Sequence, residues 1–275
     1  MCLICRNEIR EGSASCCSIG CTEIVNLPEM PHSVELISLE KCTSLTSFQV
    51  LPPNLFQLSC DYCTSLVGLP DLPEQLEELF CIGCTSITHL PELPQVLTIL
   101  FCNGCTSLVT LPTLPDSFEE LNCSGCTSLV TLPTLPQSLN FLNCSGCTSL
   151  VTLPELPETL EELDCSGCTS LVTLPELPDS LKKLNCSGCT SITNLPELPR
   201  ELIELDCSGC IRLYLPPRLH IRYRINEVNG YSPYYINMIV TRIQKRFIKK
   251  LYHPDHSFVK TILKNTKIIC EKNDK

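Results

Sequence analysis

Apolar positions recur along this chain in one pattern, seen in full at Leu160, Leu163, Cys165, Cys168, Leu171 and Leu174, followed by Pro175 and Pro178. The alternation of Leu163 and Cys165 has the two-residue period of a short strand with one face buried. The prolines lack an amide hydrogen and fix φ, so no helix runs through "LPELP". That segment is predicted to return the chain along an extended, polyproline-like path.

The pattern repeats at a constant interval. The second cysteine of the C-x-x-C unit falls at Cys21, Cys42, Cys63, Cys84, Cys105, Cys126, Cys147, Cys168, Cys189 and Cys210, and every step is 21 residues. The first cysteine runs from Cys60 to Cys207 at the same interval; the same slot holds Leu39 one repeat earlier and Ser18 before that. A fixed period of this size specifies a solenoid, in which no single turn buries its apolar face alone and only stacking builds a core.

The unit L-x-x-L-x-C-x-x-C-T-S-L/I-x-x-L-P-x-L-P resembles the leucine-rich-repeat family over about residues 18–215, with a cysteine in one leucine slot and one extra residue before Leu171. "LPELPETLEEL" resembles the short repeats of secreted bacterial effectors, and "LNCSGCTSLVTLPELP" resembles repeats of plant immune receptors. The near-identical expansion is similar in style to repeat proteins of giant DNA viruses. The resemblance implies a leucine-rich-repeat solenoid with a parallel β-sheet on a concave face, extended convex segments and a role in binding other proteins. The expected organisation is an N-terminal Cys-rich cap (1–17), an array of about nine to ten repeats (18–215) and a basic C-terminal edge strand and helical cap (216–275).

In that last segment Leu219, Ile221 and Tyr223 alternate as an edge strand does. A helix is predicted from Ser232 as N-cap and Pro233 to a stop at Pro254. Ile236, Ile239, Val240, Ile243, Phe247 and Leu251 share one face, and Arg242, Lys245, Arg246, Lys249 and Lys250 crowd the others. Capping the solenoid is the expected role; a basic amphipathic helix also suits a calmodulin-like partner or anionic lipid. "RIQKRFIKK" resembles an IQ motif incompletely, and His253, Pro254 and Asp255 repeat the J-domain tripeptide without the helix that usually precedes it.

Charge sharpens the division. Met1 to Cys210 carries six Lys/Arg against 26 Asp/Glu, whereas Ile211 to Lys275 carries 14 against four, within a formal net charge of −10. The acidic array repels nucleic acid and favours a basic segment of a protein partner. No basic leader with an adequate apolar stretch opens the chain, and no run approaches a membrane span. The 23 cysteines would scramble in an oxidising compartment, so a cytoplasmic, reducing location and a monomer are expected; a viral source would place the chain in the host cytoplasm.

The cysteines admit several chemistries. The spacing C-x2-C-x17-C-x2-C at Cys60, Cys63, Cys81 and Cys84 satisfies a zinc-ribbon pattern. Yet a slot that also accepts Leu39 is a packing slot, and parallel stacking arranges thiols in rows instead of tetrahedra. Disulfides between rungs would strain the stack, because rungs about 4.8 Å apart hold Cβ atoms farther apart than the ~3.8 Å a bridge prefers. The thiols are therefore expected to be small buried hydrophobes with weak hydrogen-bonding ability, and no repeating histidine activates them. An alternative reading remains at the N-terminus, where Cys2, Cys5, Cys16 or Cys17, and Cys21 could form a knuckle or RING-like zinc site of an adaptor in ubiquitin transfer.

Residues flanking the inward Leu and Cys point to the concave surface. Phe80, Ile82, Ile99 and Phe101 form an apolar patch there, with Glu78 beside it and Phe141 two rungs on; Glu162, Asp164, Glu204 and Asp206 make the far end acidic. Exposed aromatic clusters mark partner sites, so these are the candidate partner-binding residues; a flanking loop or the C-terminal tail covering the patch is the competing explanation. No catalytic constellation and no cofactor site is expected, and the chain is read as a non-enzymatic scaffold.

Overall fold

The fold follows from how a 21-residue unit distributes its buried positions. A computed structural model describes residues 15–213, apart from the side chains of residues 17–19. The chain divides into two units, Met1–Gly230 and Tyr231–Lys275, and the described residues belong to the first. Cys2, Cys5 and the edge strand and helix expected after residue 215 lie outside the described residues.

The strands are β1 (Ser15–Ile19), β2 (Asn26–Leu27), β3 (Leu36–Glu40), β4 (Ser47–Phe48), β5 (Gln57–Ser59), β6 (Glu78–Phe80), β7 (Ile99–Phe101), β8 (Glu120–Asn122), β9 (Phe141–Asn143), β10 (Glu162–Asp164), β11 (Lys183–Asn185) and β12 (Glu204–Asp206). Ten of them form one sheet in the order β1-β3-β5-β6-β7-β8-β9-β10-β11-β12, while β2 pairs only with β4. Every pairing is parallel and joins equivalent positions of successive repeats: Leu58 lies opposite Leu79, Leu100 opposite Leu121, and Leu163 opposite Leu184. The register equals the sequence period, so one residue type forms a column through the whole stack. The described residues are thus a parallel β-solenoid.

Each three-residue strand buries its middle residue and leaves the two flanking ones at the surface, as the alternation predicts. Leu79, Leu100, Leu121, Leu142, Leu163 and Leu184 form the central column of the core, and the cysteines on either side of the following bend are buried with them. Leu39 and Cys60 occupy the same slot and are both fully buried, which establishes that slot as a packing position.

The proline segments contain no helix among the described residues. The second proline of each unit ends its segment in a tight turn: the Pro73 carbonyl accepts from the Leu76 amide at 3.1 Å, and Pro157 repeats this with Leu160 at 3.1 Å. A proline carbonyl is fully available for this, although its nitrogen donates nothing. On the stretch just before the prolines, successive turns are tied by main-chain bonds such as Val130 N to Val109 O at 3.3 Å.

At the bend the chain leaves the ladder, and a core-facing carbonyl needs partners. The carbonyl of the first cysteine slot accepts from the amide three residues on, as in Cys63 N to Cys60 O at 3.2 Å. It also accepts from the thiol of the second cysteine of the next turn, 24 residues on. Cys63 donates to Leu39, Cys84 to Cys60, Cys105 to Cys81, Cys126 to Cys102, Cys147 to Cys123, Cys168 to Cys144, Cys189 to Cys165 and Cys210 to Cys186, all at 2.9–3.1 Å. The second cysteine is therefore a donor as well as a filler, a role beyond the one its burial alone suggests.

The register gives a direct mutational test. Leu121→Ala, at a fully buried position, is expected to lower unfolding free energy by about 2–5 kcal/mol through lost burial and a cavity. Glu120→Ala, one residue away on the outward face, is expected to cost less than about 0.5 kcal/mol. Urea unfolding of both variants measures this, and equal losses would contradict the register.

Candidate functional site

The outward columns of the sheet carry the chemistry that the core cannot. Phe80 and Phe101 are paired across β6 and β7, and their rings meet edge to face with centroids 5.5 Å apart and planes at 88°. Ile99 pairs with Glu78 on one side and Glu120 on the other, and Phe141 follows Glu120 in that column. Ile82, two residues after Phe80, completes the patch, and its amide donates to Asp61 Oδ1 at 2.8 Å. All of these side chains are half-buried. The structure thus brings Phe80, Ile82, Ile99 and Phe101 together, with Glu78 alongside and Phe141 two rungs away.

The acidic candidates are placed on the same face but are partly occupied. Glu162 forms an ion pair with Lys183 at 2.7 Å, beside a second pair of Glu161 with Lys182 at 2.6 Å. Asp164 Oδ1 accepts from Ser166 N at 2.9 Å, and its Oδ2 accepts from Asn185 Nδ2 at 3.1 Å. Asp206 Oδ1 accepts from Ser208 N at 2.8 Å. Asn122, Asn143 and Asn185 make the same turn with Ser124, Ser145 and Ser187. These Asx turns hold the bend open for the next residue, so the middle column is a structural device as well as a surface.

That next residue explains a feature the period-two reading misses. The glycine of each CSGC has φ between 68° and 73° in Gly125, Gly146, Gly167, Gly188 and Gly209, a conformation that favours glycine. A Cβ on Gly125 would approach the Gly104 backbone to 3.6 Å. The columns of Ser and Gly line an open trough of about 1050 Å³ running from Asn103 and Gly104 to Ser208 and Gly209. Tyr62 and Lys41 occupy the glycine position in earlier turns with φ of 57° and 55°, and the Tyr62 ring lies over Gly83, 2.6 Å from where its Cβ would be. The signal for this trough is the glycine at one fixed place in each unit from Gly83 to Gly209.

The paired thiols of the array are packed in the core. The paired cysteines from Cys60 and Cys63 to Cys207 and Cys210 are unbridged and buried. Hydrogen bonding to the Cys168 thiol, and then burial, push the Cys144 thiol well above its ordinary range; Cys81, Cys102, Cys123, Cys165 and Cys186 are raised in the same way by the next turn's thiol. Cys207, at the end of the array, is pushed up to about 12 by burial. Nucleophilic and metal-binding thiols need the opposite shift, which is seen at Cys126 and Cys210, where the hydrogen bond with the Cys102 or Cys186 thiol lowers each against its burial. Of the alternative zinc ligands, Cys16 takes the inward position that Ile37 fills on the next strand, and Cys21 takes the bend. Among the described residues no three His, Cys, Asp or Glu side chains are grouped to hold a metal ion.

No family model and no curated protein matches the sequence. Among solved structures, the chain is similar to YopM, a leucine-rich effector protein from Yersinia pestis, at 31% identity and a TM-score of 0.51, over 68% of this chain and 57% of that one. This chain has the leucine-rich-repeat fold. Similarity also extends to the leucine-rich-repeat protein of T. pallidum (25% identity, TM-score 0.40, 68% of this chain and 82% of that one) and to one from Bacteroides ovatus (20%, 0.34, 80% and 83%). The leucine-rich-repeat chain spans little more than half the length of the YopM chain it matches. Among its described residues no helix is long and apolar enough to cross a membrane.

The raised thiols set a pH dependence for this leucine-rich-repeat array. An acid whose folded-state pKa is raised stays protonated when folded, so its contribution is whole below the unfolded pKa of about 8.5 and is lost as pH rises toward the folded value. Each such thiol contributes a slope of about 1.4 kcal/mol per pH unit. Unfolding free energy, measured by urea titration under reducing conditions, is expected to be insensitive to thiol ionisation up to about pH 8. It should then fall at several times the single-thiol slope above about pH 9. A flat response to pH 10 would contradict the buried, protonated ladder.

Proposed function

We propose that this chain is a non-enzymatic scaffold whose protein partner docks on the open face of the sheet. The observation that carries the reading is the Phe80–Phe101 pair: two aromatic rings packed edge to face, outside the core, on a face lined mostly by Asn, Ser, Glu and Asp. Half-exposed aromatic groups with a polar surround are the usual centre of a binding hot spot. Glu78, Ile82, Ile99 and Phe141 extend the contact surface, and Glu162, Asp164 and Asp206 supply the negative field that favours a basic partner. Buried thiols held protonated support a structural role for the cysteines and fit a cytoplasmic, reducing setting.

Phe80→Ala combined with Phe101→Ala is expected to abolish partner capture in a pull-down quantified against the wild-type chain. The two rings contribute about 1 kcal/mol to each other, so the thermal midpoint should move by no more than about 4 °C. Undiminished capture by a folded double variant would overturn the reading, as would a much earlier unfolding, which would make the rings part of the packing.

A further inference from the structure

The register turns the patch into a directed feature. Ile82, Phe80, Phe101 and Ile99 lie along one diagonal of the sheet: Ile82 two residues after Phe80, Ile99 two residues before Phe101, and the two phenylalanines in register. Each end of that diagonal meets a carboxylate. Asp61 stands one turn before Ile82 and touches its amide, and Glu120 is the register partner of Ile99. With about 4.8 Å between turns and about 3.3 Å per residue along a strand, both carboxylates lie roughly 10 Å from the centre of the aromatic pair.

We propose that the occupant is an extended segment of a partner protein with a bulky apolar residue at its centre and a lysine or arginine two to four residues away on each side. This rests on the reading of the patch as the binding site. An extended chain advances about 3.3 Å per residue, so three residues bridge the distance from the rings to either carboxylate, and a long basic side chain covers the remainder. Strands β6 and β7 are each paired on both sides. The partner therefore reads side chains on the open face and cannot add itself as an edge strand there.

Charge selects the flanking residues. Lys182 pairs with Glu161 and Lys183 with Glu162, and neither Asp61 nor Glu120 forms an ion pair with another described residue. Asp61 is half-buried one turn from Glu40, and burial together with that neighbour raises its carboxyl above the usual range, against the pull of the Ile82 amide and Ser59. A partner cation at that end relieves the repulsion between the two carboxylates. A second copy of this array, with six Lys/Arg against 26 Asp/Glu up to Cys210, brings net negative charge to the same place.

The test is selection of a displayed library of random twelve-residue peptides on the full chain, followed by affinity measurement with an enriched peptide. Enriched peptides are expected to carry a central aromatic or aliphatic residue with Lys or Arg two to four positions away on both sides. Asp61→Asn, which keeps the acceptor for the Ile82 amide, combined with Glu120→Gln should weaken binding at least tenfold and flatten its salt dependence. Enriched peptides without flanking cations, or unchanged affinity for the double variant, would overturn the charge pattern; if Phe101→Ala still abolished binding, the patch itself would stand. Binding indifferent to Phe101→Ala, or no enrichment at all, would overturn both.

Discussion

Each turn of this solenoid ends its strand with a carbonyl directed into the core, shared between the amide three residues on and a thiol from the next turn. A buried carbonyl left short of donors is costly, and the second cysteine supplies one from 24 residues away in turn after turn. Sulfur is a weak donor, and about 0.5 kcal/mol per bond is a reasonable scale. Repeated along the array, such bonds reach several kcal/mol, a sizeable share of the ~5–15 kcal/mol by which a domain is stable. The 21-residue register places that donor 24 residues from its acceptor in each turn, and the core at that place holds a small side chain.

That constraint also shapes the surface. Because the inward Leu and Cys columns and the glycine bend are occupied by structural demands, only the outward columns are free to differ between turns. Most of these columns are polar, and several of their Asn and Asp side chains turn back to the amide two residues on. The cluster at β6 and β7 stands out against this background because apolar residues there serve none of the structural roles seen in the other turns. Function is accordingly sought where the repeats depart from their consensus.

The period, the strand register and the packing role of the first cysteine slot were legible in the sequence, the last because Leu39 fills the slot without breaking the pattern. The outward placement of Phe80 and Phe101 was legible too, since alternation about Leu79 and Leu100 requires it. The donor role of the second cysteine was not, because its acceptor is a main-chain carbonyl one turn earlier and carries no side-chain identity. The turns made by Asp164 and Asp206 were hidden for a related reason: alternation places both outward, but the bend that follows lets one carboxylate oxygen curl back to the chain. Tyr62 and Lys41 in left-handed conformations are set by the turn they inherit from the stack rather than by their own preference.

The central claim is that the second cysteine acts as a donor and the first as a filler, and serine and alanine distinguish the two. Serine keeps a donor, while alanine keeps only the small size. Unfolding free energies of Cys147→Ser, Cys147→Ala, Cys144→Ser and Cys144→Ala, measured by urea titration under reducing conditions, test it most directly. At Cys147, whose thiol donates to the Cys123 carbonyl at 3.1 Å, serine should be more stable than alanine by about 1 kcal/mol. At Cys144 the order should reverse, because the partner of a buried side chain there is the Cys168 thiol, a weak acceptor for a hydroxyl. Alanine above serine at both positions would contradict the account and reduce the second cysteine to packing alone.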